Sequence, residues 1–314
     1  MFVAVFGVRP GEEELFEGYS AELGFSVRLV YEEPTLENLD AAEGASALLI
    51  RTRRFPRAYV EKIARMGIHY LCTRSVGTDH IDKEACEESG VEYSGCNYSP
   101  STVAEFALML MLMGLRKVPS TMRHAEVQDY TLTKAKRGRE LRDCTVGVVG
   151  TGRIGTRVIE LLRGFGPEII ACSHRQNVEG VEYVTLEELL RRSDVITLHI
   201  PGQERPLLGE REFSLMKADA VLVNTARGSL IDQEALISAL EAGKLSAVML
   251  DVLQDEKVLY HLDLRGKPTA NHGYHVLKSF PQVYLTPHMA FFTEEGIVEL
   301  ARHSLEWAAE RIFK

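Results

Sequence analysis

The chain has 314 residues, 45% of them hydrophobic and 26% charged, with a formal net charge of −9. That length exceeds what one hydrophobic core usually organises, so two domains with a cleft between them are expected, and the acidic balance excludes a broad nucleic-acid or anionic-membrane surface while leaving room for a local basic pocket. Five cysteines without a C-x-x-C pair signal neither a disulfide framework nor a zinc site, and point to a reducing, cytoplasmic setting.

The N-terminus enters an apolar run at 2–6 with no basic leader or small-residue cleavage site, so it reads as a first strand. Runs at 27–30, 47–50 and 69–73 read as further strands, with charged, helix-favouring stretches between several of them, and such alternation writes a parallel sheet. Pro100 and Ser101 open a helical stretch to about Lys117, with Met and Leu on more than one face, as at a domain or subunit contact. Its most apolar part, 106–115, falls far short of the roughly 20 residues that a bilayer span needs. A second alternating series places strands at 145–149, 168–172, 195–199, 220–224, 247–250 and 283–285, and an amphipathic helix closes the chain from 294 to 313. The expected fold class is α/β, two doubly wound parallel-sheet domains joined near 98–101.

Gly150-Thr151-Gly152-Arg153-Ile154-Gly155 follows the first strand of the second series and opens a helix. Gly150 permits the tight turn, Gly152 lets backbone approach a pyrophosphate, and Gly155 lets helix and strand pack closely, while the helix N-terminus attracts negative charge. A dinucleotide site is therefore expected here. The acidic residue that usually ends the next strand and holds the ribose 2′-hydroxyl is replaced by Ser173, His174 and Arg175, groups that suit a 2′-phosphate. NADPH is expected to be accepted alongside NADH.

Three further segments, 224–228, 251–256 and 286–292, sit at or just after the carboxyl ends of strands, the edge at which open α/β sheets bind ligands. With these segments in view, the chain resembles the D-isomer-specific 2-hydroxyacid dehydrogenase family over nearly its whole length, through GTGRIG, SDVITLHIP, NTARGSLID, the 251–256 segment and TPH. Arg74-Ser75-Val76-Gly77, Tyr98-Ser99-Pro100 and Ala290-Phe291-Phe292-Thr293 resemble its D-lactate dehydrogenase branch, and TRSVG with YSPSTVAEFALMLMLM the vancomycin-resistance type of that branch.

The resemblance implies a flavodoxin-like substrate domain over 1–99 plus 294–314 and a Rossmann cofactor domain over 100–293. It implies that Arg227 grips the substrate carboxylate with its planar fork, helped by backbone amides near Val76 and Gly77. His288 would protonate the keto oxygen as hydride arrives, and Glu256 would orient the ring and stabilise the imidazolium. Asp251 would face the nicotinamide amide, and Tyr98 and Phe291 would line the substrate's side chain. The cofactor would lie against Gly150, Gly152, Arg153, Ile154, Gly155, Ser173, His174, Arg175, Ile200, Pro201, Thr225, Ala226 and Arg227. The implied substrate is a small 2-oxo acid, with pyruvate first, a bulkier acid such as 2-oxoisocaproate as the alternative, and a nicotinamide-sensing regulator as a remote one.

His199 ends a strand and reads as structural, and His272-x-x-His275 lacks a third ligand, so no metal is expected. The loop 202–209 is shorter than the family's usual stretch there, and a homodimer through the 101–117 helix is implied.

Overall fold

The computed structural model describes residues 1–269 and 271–314, which divide into two compact units, Met1–Ser99 with Phe292–Lys314 and Pro100–Phe291. Each contains a doubly wound parallel sheet, as the alternation of apolar runs predicts.

In the first unit, β1 (Phe2–Phe6), β2 (Ser26–Val30), β3 (Ala47–Ile50), β4 (Tyr70–Thr73) and β5 (Glu92–Gly95) form a sheet of order β2-β1-β3-β4-β5 with every pairing parallel. Strands β1 and β3 are apolar at every position because helices cover both faces. Phe6, Leu48, Ile50, Ile63 and Leu71 are fully buried in one cluster, each worth ~1.5–3 kcal/mol against exposure. The C-terminal helix (Glu294–Ile312) packs back on this unit, capped by Thr293, whose Oγ1 accepts from Gly296 N at 3.0 Å.

The second unit opens with a helix at Pro100–Leu115, then a shorter one at Val118–Glu126. Its sheet comprises β6 (Thr145–Val149), β7 (Glu168–Cys172), β8 (Glu182–Tyr183), β9 (Val195–Leu198), β10 (Val221–Asn224), β11 (Ala247–Leu250) and β12 (Val283–Leu285). The order β12-β11-β10-β9-β6-β7-β8 is that of a dinucleotide-binding sheet with one extra strand.

The apolar 101–117 stretch finds its explanation here. Ala104, Ala107, Leu110 and Met111 are buried in the core of their own unit, and Gly114 passes so close to the sheet that a Cβ would meet Val221 Cγ1 at 2.8 Å. The following helix, by contrast, has no buried residue, and Met122, Val127, Tyr130 and Leu132 are exposed by 59, 76, 74 and 98%. Among the described residues, no helix is long and apolar enough to cross a membrane.

Candidate active site

The glycine turn joins β6 to the helix Arg153–Arg163. Gly150 has φ +94°, and a Cβ there would meet Ile200 Cγ2 at 2.5 Å and His199 O at 2.6 Å. A Cβ on Gly155 would stand 1.9 Å from Gly150 O, whereas one on Gly152 would meet nothing within 4 Å. Two glycines are thus demanded by packing and the middle one keeps backbone open to an approaching group, which is how a pyrophosphate at a helix N-terminus is received. Thr225 Oγ1, after β10, is buried without a hydrogen-bond partner, an orphaned polar atom of the kind a ligand satisfies. These residues fit a dinucleotide.

After β7 the loop is held by its own polar groups. Ser173 Oγ accepts from Thr151 N at 3.2 Å and Arg175 N at 3.3 Å, and Thr151 Oγ1 donates to Arg175 O at 2.7 Å. The Ser173 hydroxyl therefore shapes the loop, while His174 and Arg175 are exposed. Ile200 is half-buried against Gly150, and Pro201 is exposed. His199 shares a hydrogen with Thr197 Oγ1 at 2.8 Å, and burial pushes its pKa down to about 4, so it is a neutral, structural ring.

Arg227 is presented by a turn that Asn224 builds. The buried Asn224 amide donates to Arg227 O at 2.8 Å and its Oδ1 accepts from Ala226 N at 3.0 Å, while Arg227 Nη1 donates to Ala226 O at 2.7 Å. Gly228 then lies directly on the next turn, where a Cβ would come within 2.0 Å of Leu253 C and O. Neither Asn224 nor Gly228 stands out in the sequence beyond its motif, because their roles are backbone acceptance and close approach.

Asp251 is the residue expected to face the nicotinamide amide. It is fully buried, and its Oδ1 accepts from Thr286 Oγ1 at 2.6 Å and Met289 N at 2.9 Å, with Oδ2 accepting from Ala290 N at 3.0 Å. Its backbone oxygen accepts from His288 N at 2.8 Å. The carboxylate thereby ties the 286–290 turn to the end of β11. Within that turn His288 adopts φ +50°, a left-handed conformation uncommon outside glycine.

Glu256 and His288 meet. Glu256 Oε1 lies 2.6 Å from His288 Nδ1, and its Oε2 accepts from Leu253 N at 2.9 Å, so the carboxylate is itself fixed. The side chains remain 20 and 28% exposed, leaving the pair accessible. Phe291 packs edge-on to His288, their ring centres 6.1 Å apart. His261 completes this ring cluster, with its Nε2 3.1 Å from His288 O and its ring 6.1 Å from Phe291. Nothing in the pattern of the 256–288 segment distinguishes it. Among the described residues, no group of three His, Cys, Asp or Glu side chains could hold a metal ion, and the His275 ring bonds Thr269 instead.

Val76, Gly77 and Tyr98 belong to the first unit. Val76 is exposed, and the loop it shares with Gly77 presses on the end of β5, where a Cβ on Gly95 would meet Ser75 O at 2.7 Å. Tyr98 is half-buried between two fixed neighbours, since Asn97 O bonds the His303 ring and Ser99 N donates to Glu299.

Residues 108–290 match the family model described as D-isomer specific 2-hydroxyacid dehydrogenase, NAD binding domain. A D-specific alpha-keto acid dehydrogenase of Enterococcus faecalis is 38% identical over 297 residues, covering 94% of this chain and 91% of the relative. A D-lactate dehydrogenase of Lactiplantibacillus plantarum is 33% identical, covering 97% and 94%. Among solved structures, a D-2-hydroxyisocaproate dehydrogenase superposes with a TM-score of 0.87 at 34% identity, covering 99% of this chain and 96% of that one.

Proposed function

We propose that this chain, which belongs to the D-isomer-specific 2-hydroxyacid dehydrogenase family and is an NAD-dependent oxidoreductase of its D-lactate dehydrogenase branch, reduces a small 2-oxo acid to the D-2-hydroxy acid, with pyruvate as the parent substrate. The observation that carries this reading is the His288–Glu256 pair at 2.6 Å beside the strand-end turn of Arg227. When bound, the nicotinamide supplies or removes the hydride. Arg227 holds the substrate carboxylate through paired charge-assisted bonds, supported by backbone amides of Val76 and Gly77. His288 Nε2 delivers a proton to the keto oxygen, and Glu256 at Nδ1 keeps the ring in the donating orientation and favours its charged form. Asp251 faces the nicotinamide amide and also fixes the turn on which His288 sits. Tyr98 and Phe291 shape the side-chain pocket, and a roomier acid such as 2-oxoisocaproate is the second reading, favoured by the likeness to the hydroxyisocaproate enzyme.

NADPH is proposed as a cofactor besides NADH. Support comes from the lack of an acidic residue after β7 and from the exposed His174 and Arg175. The five free thiols fit a cytoplasmic setting. A homodimer is proposed on the outward face of the 101–117 helix, carried on by the exposed apolar residues of 122–132.

Initial rates of pyruvate reduction with NADH and NADPH, followed by chiral analysis, test the reading. D-lactate is the expected product, and failure to reduce any 2-oxo acid with either cofactor would refute it. A rate ratio unchanged by Arg175→Ala would remove the case for NADPH.

A further inference from the structure

The order β2-β1-β3-β4-β5 puts the topological switch point of the first unit between β1 and β3, where ligands of such sheets bind. That spot is strongly basic in a chain of net charge −9. The chain leaves β1 through Gly7, at φ +66°, to reach Arg9, and leaves β3 directly into Arg51, followed by the exposed Arg53 and Arg54.

Arg74, after β4, is spent within the fold. It donates to Phe6 O at 2.6 Å, Gly7 O at 2.9 Å and Glu12 Oε2 at 3.1 Å. Glu12 is likewise taken up, since it also accepts from Arg9 N at 3.1 Å and Arg9 Nη1 at 3.0 Å. Arg51 Nη1 pairs with Glu33 Oε1 at 3.2 Å, while Glu33 Oε2 is buried without a hydrogen-bond partner. Glu12 thus serves both Arg9 and Arg74, and Glu33 serves Arg51. Burial and then the charge of Arg9 hold the Arg51 pKa down to about 10, with Glu33 opposing them. Yet the side chains stay in reach of solvent, Arg51 exposed by 15% and Arg9 by 23%, and Arg9 lies over the Phe292 ring at 5.1 Å.

We infer that this edge binds a second carboxylate of the substrate, with Arg51 as its principal partner and Arg9 beside it, and that the preferred substrates are 2-oxo dicarboxylic acids of four or five carbons. The inference rests on the reduction proposed above. Val76 and Gly77, the proposed amide donors, follow β4, and Arg51 follows β3, the adjacent strand. Neighbouring strands lie about 4.8 Å apart, comparable with the span between the two carboxylates of such an acid.

The test compares kcat/KM for oxaloacetate and 2-oxoglutarate with 2-oxobutyrate and 2-oxopentanoate, which match them in carbon number but lack the second charge. We expect the diacids to be preferred by at least about tenfold. Arg51→Met should lower the diacid-to-neutral ratio by about 100-fold or more, as loss of a bidentate charged contact does, and Arg51→Lys, which keeps the charge but not the fork, should retain only part of it. The double variant Arg51→Met with Glu33→Gln avoids leaving an unpaired carboxylate and should show the same ratio. Equal constants for diacid and matched neutral acid, or a parallel loss of both in these variants, would overturn the inference. If no 2-oxo acid is reduced at all, the proposed function fails, and calorimetric titration with D-malate and D-lactate then judges the anion site alone. Tighter malate binding that the double variant removes supports the site, and equal binding overturns it.

Discussion

Gly228→Ala is the sharpest perturbation of the active-site geometry. The added Cβ would stand 2.0 Å from Leu253 C and O, whereas ordinary contact begins at 3.4 Å, so one of two turns must retreat by the difference, about 1.4 Å. The obstacle is backbone and cannot rotate away. One of these turns carries Arg227, and the other runs on to Glu256, whose Oε2 accepts from Leu253 N. Misplacing positioned groups by about 1 Å costs on the order of 100-fold in rate, and forced overpacking costs about 1–3 kcal/mol of stability. Steady-state kinetics on the best 2-oxo acid, with thermal unfolding alongside, should therefore show kcat/KM lowered at least about 100-fold in a folded protein with a modestly lower Tm. A variant within threefold of the parent would refute the coupling of the two turns.

Glu256→Gln preserves shape but removes the charge beside His288, and kcat is expected to fall by roughly 10²–10⁴ with little change in KM; a KM effect alone would contradict the role given to the pair. Arg227→Lys should lower kcat/KM at least about tenfold, since one or more charge-assisted bonds of about 1.5–3 kcal/mol each are lost. His199 has its pKa lowered by burial to about 4, so the unfolded chain takes up a proton there before the folded one does, and stability should decline as pH falls from about 6.5 towards 4. Urea denaturation across that range should show a shallower decline for His199→Gln, and identical pH dependence in both proteins would dismiss the contribution.

The two doubly wound sheets were legible because inner strands such as Ala47–Ile50 and Ala247–Leu250 are uninterrupted apolar runs. Strands β5 and β8 were not, since edge strands reading Glu-Tyr-Ser-Gly and Glu-Tyr carry no buried run to mark them. The glycine turn and the Arg227, Glu256 and His288 motifs could be picked out by residue type and strand-end position. The parts played by Asn224 and Gly228 could not, because each works on main-chain atoms that no side-chain pattern records. The arginines at 9 and 51 escaped notice for a related reason: they lie in separate segments, and only the strand order brings them, with Arg74, to one edge.

Arg227, Asp251 and His288 hang from β10, β11 and β12, three consecutive strands that are also neighbours in the ladder. The spacing of the chemistry is therefore built into the sheet's hydrogen bonding and owes little to the helices behind it. Lengthening the connections at the opposite, amino-terminal edge leaves that ladder intact. This edge is where reporter insertions belong and where natural sequence drift is cheapest.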